Sequence, residues 1–154
     1  METTVASASR PWRKWAAAMW LATALFAFRV IGQAVQRWLP VPWLPAFREW
    51  QGSGTSYPVL LAIQLVIIGA MAHASWRAWT GSTGSSRAMQ GFAWLGALYM
   101  FVALGRIAIG LSVDDAPVWF RAWISGAFHV VLAGFVLALA RYHCLRNPAR
   151  GDAA

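Results

Sequence analysis

The chain is predicted to be an all-α integral membrane protein, a bundle of four transmembrane helices. Three observations predict it. Four apolar stretches of spanning length take up most of the 154 residues, and a helix needs about 20 apolar residues to cross hydrocarbon. Hydrophobic residues make up 59% of the chain and charged residues only 12%, against about 25% charged in ordinary soluble domains, and the mean hydropathy is +0.50. Pro, Gly, Ser and Trp cluster between the stretches, where helices stop and headgroups begin. Nothing remains from which to build a second domain.

Residues 1–14 form a basic tail that ends in Arg10, Pro11, Trp12, Arg13 and Lys14. Span 1 covers about 15–36. It is apolar as far as Phe28 and then carries Arg29, Gln33 and Gln36. A basic start before a short apolar run also describes a signal peptide. The missing small-x-small cleavage signal and the apolar pattern resumed after Arg29 favour a span. Residues 37–57 form the longest loop. Pro40, Pro42 and Pro45 forbid a continuous helix there. Trp38, Trp43, Phe47, Trp50 and Tyr57 favour the headgroup layer. The loop is therefore expected to lie on the membrane surface, with a short helix at 46–51 and a flexible turn at Gln51, Gly52, Ser53 and Gly54.

Span 2 covers about 58–79, with Pro58 at a permitted first-turn position. A Gly/Ser/Thr-rich stretch, 80–86, leads to span 3 at about 91–112. Asp114, Asp115 and Pro117 make a tight acidic turn. Span 4 covers about 118–143, and residues 144–154 form a polar tail.

Basic residues set the orientation. Arg10, Arg13, Lys14, Arg77, Arg87, Arg141, Arg146 and Arg150 fall on one side, and Arg37, Arg48 and Arg121 on the other. The richer side is expected to be cytoplasmic, with both termini inside. The net charge of +8 is then a mark of topology and of anionic headgroups, not of nucleic acid. No basic run is interleaved with exposed aromatics as single-strand binding needs. The short Ala/Arg/Trp-rich composition suggests a bacterial inner membrane.

Depth follows from the helical rise of about 1.5 Å per residue. Arg29 and Arg106 fall in the outer halves of spans 1 and 3. Gln33 sits one turn beyond Arg29 on the same face. Gln64 lies roughly 9 Å below the outer surface, and His129 near the midplane. Arg121 comes near the outer surface. Glu49, Asp114 and Asp115 lie in the loops above and are the expected charge partners. Two readings are open. In one, the arginines snorkel to loop carboxylates while Gln33, Gln64 and Ser125 bond helix to helix. In the other, Arg29, Gln33, Gln64, Arg106 and His129 form a cationic cavity for an anionic, lipid-like ligand.

His129 follows Ser125 by one turn, and a mid-membrane histidine hydrogen-bonds, protonates or ligates. Bis-histidine haem would need two histidines at one depth. His73 and His129 differ by roughly 8 Å on the rise estimate, and His73 and His143 by more. Most of the 11 tryptophans fall at predicted interfaces, an aromatic belt. Trp20 and Trp94 lie deeper and are expected to pack in the bundle. Gly69, Gly96, Gly105, Gly110, Gly126 and Gly134 permit close helix approach, within the chain or in a homo-oligomer.

Cys144 is the only cysteine, which excludes an intramolecular disulfide or a dithiol relay. No span carries Asp or Glu, which argues against carboxylate-coupled transport. No span carries Lys, which excludes a retinal Schiff base. No nucleophile motif or metal-ligand spacing supports hydrolase or metalloenzyme activity. The first expectation is a binding or accessory protein holding an anionic amphiphile or a membrane-protein partner. A quinone- or haem-interacting redox subunit using His129 is the second, and an oligomeric transporter the third.

Overall fold

The computed structural model describes residues 11–51, 54–82 and 86–146. The tail residues Arg10 and Arg150 and the turn residues Gly52 and Ser53 lie outside them. The fold is all-helical, with no strand among the described residues. Six helices follow in order: α1 Arg13–Trp38, α2 Phe47–Gln51, α3 Tyr57–Trp79, α4 Ser86–Ser112, α5 Val118–Arg121 and α6 Trp123–Arg146. Four of them, α1, α3, α4 and α6, are long and apolar enough to cross a membrane. This is a multi-pass membrane protein whose spans touch the lipid bilayer.

The long helices alternate in direction. Thr23 meets Ser75 at 3.2 Å, and Gln64 Nε2 donates to Gln33 Oε1 at 3.1 Å, so α1 and α3 are antiparallel. Trp12 stacks edge-on against Tyr142 at one end of α1, and Arg29 lies over the Phe128 ring near the other. That makes α1 antiparallel to α6. Tyr99 stacks on His129, and Gly96 faces Val136 and Leu137, which pairs α6 with α4. One end of the bundle, here the terminal end, holds the start of α1, the end of α6 and the α3–α4 connection. The other, the loop end, holds α2 and α5.

Consecutive spans pack together except α3 and α4, and the first span also packs against the last. α6 packs against α4 and α1, α1 against α3 and α6, and α3 barely reaches α6. The order in space is α3, α1, α6, α4. Buried residues make up 33% and 39% of the apolar windows of α1 and α6 but only 17% of those of α3 and α4. The edge pair is thus α3 and α4, and a cleft floored by α1 and α6 separates them. The core between the helices is built from Met19, Phe26, Val30, Met71, Phe135 and Tyr142.

Leu21, Phe28, Ile31, Val66, Phe101 and Leu111 point outward and are exposed. Such a belt is stable against hydrocarbon, not water. Trp20 and Trp94 belong to it. Trp94 is 80% exposed and Trp20 37%, so neither packs inside the bundle as their depth suggested. Their rings lie on the outward faces of α4 and α1. Trp50 departs the other way. Like Tyr57, it was expected among headgroups with the other loop aromatics but is buried. Its ring fills the space over Gly32, where an added Cβ would lie 3.1 Å from it, and its Nε1 donates to Pro45 O at 2.9 Å.

The last span also begins later than the apolar pattern suggested, at Trp123. In a continuous helix the carbonyl of Trp119 would accept from the N–H of Trp123. It accepts from Arg106 Nε instead, at 2.8 Å. The preceding turn, α5, sits directly on α4. A Cβ added at Gly110 would run into the carbonyl oxygen of Phe120, so that approach is open only to glycine.

Candidate functional site

A cavity of about 210 Å³ lies in the loop-end half of the α3–α4 cleft. Its polar lining comes from Arg29 of α1, Gln64 of α3, Arg106 of α4, and Ser125 and His129 of α6. The aromatic lining is Phe26, Tyr99, Trp119 and Phe128. Four of the five site residues expected from the sequence thus meet at one cavity. The fifth, Gln33, lies just behind it and is fully buried.

Helix periodicity explains the cluster. Arg29 and Gln33 share a face of α1, and Ser125 and His129 share a face of α6. Arg29 Nη1 donates to Gln33 Oε1 at 3.0 Å, and Gln33 Oε1 also accepts from Gln64 Nε2. Arg29 Nη2 donates to the carbonyl of Trp50 at 2.6 Å. α2 is therefore tied to the site through its backbone. His129 Nδ1 bonds the carbonyl of Ser125. A carbonyl only accepts, so Nδ1 carries the proton, and a neutral ring would keep its lone pair on Nε2.

Arg106 lies over the Trp119 ring, 4.3 Å from its centroid, while Nε binds the carbonyl of the same residue. Cation–π contact and hydrogen bond together fix the guanidinium at the cavity wall. Arg106 is 4% exposed and Arg29 5%.

The expected ion pairs are not formed. Glu49, Asp114 and Asp115 are exposed on the loops. Backbone carbonyls of Trp50 and Trp119 and the amide of Gln33 take the arginine N–H groups in their place. The reason is reach. α2 and α5 bring main-chain oxygens onto the guanidiniums, whereas the acidic side chains project away. Neither arginine meets a carboxylate among the described residues. Polar capacity is left over: Arg29 Nε, Arg106 Nη2, Gln33 Nε2 and Gln64 Oε1 are buried without a partner. A buried cation without a counter-charge costs several kcal/mol, and a cavity lined by two of them suits an anion.

The sequence reading missed the aromatic walls and the two carbonyls. Tyr99 precedes Arg106 by two turns of α4, a spacing visible in the chain. The carbonyl of Trp119 carries no side-chain signal. A second cavity was also missed. It lies at the terminal end of the cleft, measures about 240 Å³, and is lined by His73, Arg77, Ser82, Met89, Leu139 and His143, among others. The rise estimate had set His73 and His143 far apart, yet both line this space. His73 and His129 line different cavities. Among the described residues no three His, Cys, Asp or Glu side chains could hold a metal ion.

No protein-family model, no curated protein and no solved structure matches this chain.

Proposed function

We propose that the protein binds the anionic headgroup of an amphiphile in the loop-end cavity, as a small binding or accessory protein of a bacterial inner membrane. The carrying observation is the pair of buried arginines, Arg29 and Arg106, at one cavity with no carboxylate beside them. Arginine offers five N–H donors in a planar fork that matches carboxylate or phosphate oxygens. Arg106 uses one of its five within the protein. The positive-inside pattern puts both termini in the cytoplasm and the cavity in the outer half of the membrane. The volume holds a headgroup, and the cleft lets acyl chains lie against α3 and α4.

A second reading rests on the aromatic walls. Phe26, Tyr99, Trp119 and Phe128 with the lone pair of His129 would suit a flat quinone ring, whose carbonyls accept from Arg106 and whose hydroxyl form donates to Nε2.

Native mass spectrometry of protein released from mild detergent separates these. A retained anionic lipid mass on wild type, lost in Arg106→Gln, supports the first reading. A retained quinone mass with its ultraviolet absorbance supports the second. Bare protein in both forms would leave the arginines as structural groups and overturn the ligand site. The accessory role would then rest on a membrane-protein partner.

A further inference from the structure

The cleft between α3 and α4 holds a second basic cavity, at the end opposite the first. His73 and Arg77 are one turn apart on α3, so their side chains share a face, and both are exposed. His143 of α6 lines the same space from across the cleft, with Ser82 at the α3–α4 connection and Met89 in the first turn of α4. Among the described residues no Asp or Glu lines it. The rim at Ser82 is held in place. Tyr142 Oη donates to the carbonyl of Ser82 at 3.1 Å, and Arg146 Nη2 donates to that of Gly81 at 2.6 Å. Gly81 takes a φ of +84°, which brings its carbonyl under Arg146 and turns the chain back toward α4.

From this arrangement we infer that the terminal-end cavity is a second, separate anion site, and that its ligand is a phosphate group. The lining brings an arginine, two histidines and a serine around about 240 Å³. Arginine pairs bidentately with phosphate oxygens, and an imidazole N–H can donate to a further oxygen. Apolar side chains, Ala74, Met89 and Leu139, form the remaining wall. That leaves one side of the bound group against apolar side chains and the other toward the helix ends. The same donors would take free phosphate from water.

The test reads the histidines directly. The full chain is labelled with ¹⁵N at its imidazoles and held in dodecyl maltoside micelles, which carry no phosphate, and then in the same micelles with phosphatidic acid added. In a parallel arm, inorganic phosphate is added to the phosphate-free sample. The expected result is a shift of the His73 and His143 signals that disappears in Arg77→Gln. A shift with phosphatidic acid alone assigns the phosphate to a lipid headgroup, and a shift with inorganic phosphate as well assigns it to the phosphate group itself. Arg77 is exposed, so its replacement leaves the bundle intact. His129 lines the other cavity and reports that site independently, so loss of one site is distinguishable from loss of the other. Unmoved His73 and His143 signals in both arms would overturn the inference. So would a shift kept in full by Arg77→Gln, which would reduce the effect to micelle surface charge.

Discussion

Gln33 is the polar residue on which the loop-end cavity turns. Its Oε1 accepts from Arg29 and from Gln64, so Gln33→Leu strands two buried donors at once. Leaving such groups unpaired costs about 1–3 kcal/mol, and Gln33→Leu should lower the midpoint of reversible unfolding in mixed micelles accordingly. Gln33→Glu acts in the opposite direction. It sets a carboxylate one turn from Arg29 and supplies the missing counter-charge. Thermal unfolding in detergent should move upward while retention of an anionic lipid weakens. Undiminished lipid retention by this variant would remove Arg29 from the anion site. Arg106→Leu deletes an uncompensated buried charge, so insertion should remain complete in a glycosylation-mapping assay while ligand retention is lost. At this scale the sequence was a good guide to which side chains gather. An arginine in an apolar run is costly wherever it lies, and helical spacing tells which groups share its face. It was a poor guide to what each arginine touches, because Trp50 and Trp119 contribute main-chain oxygens that any residue type could have provided.

Short elements shape this bundle as much as the long ones do. α5 is seated by Gly110, over which the carbonyl of Phe120 passes, and by Arg106, which holds the carbonyl of Trp119. A methyl group at Gly110 has no room, and Phe120 offers backbone there instead of a side chain that could swing away. Gly110→Ala should therefore destabilise the fold by about 1–3 kcal/mol and lift Trp119 off Arg106, visible as a change in tryptophan fluorescence. Gly105, one turn and one residue earlier on the same helix, has open space where its Cβ would be. Gly105→Ala is the matched control, with unfolding midpoint and fluorescence close to wild type. The apolar run through Val118 to His143 has no feature that foretells the break at Ala122, because that break is made by a partner on another helix. The helix at Phe47–Gln51 was legible, since three prolines end before it and a Gly/Ser stretch follows.

Seen whole, the molecule is four spans whose number follows from apolar length alone, while the starts of α4 and α6 and the order of the helices in space do not. Hydropathy cannot say which of four similar helices lies between which. Burial settles it, with α1 and α6 inside and α3 and α4 at the edges. The orientation prediction belongs here. With Cys144 exposed at the terminal end, a membrane-impermeant maleimide should label it only after the bilayer is opened. In a Cys144→Ser background, Asp115→Cys should label in intact cells, and the reverse pattern would invert the topology. The spatial order has a consequence for biosynthesis. The ribosome delivers α1 and α3 first, and these can pair at once. α4 follows with nothing to rest on, since its main packing partners, α5 and α6, are still unmade. Arg106 thus enters the membrane before the tryptophan carbonyl that will receive it exists, and only the emergence of the final helix closes α1 and α4 into one body. Chains that stall before residue 123 should hold a paired α1–α3 hairpin and a solitary α4, exposed to the quality-control proteases of the membrane.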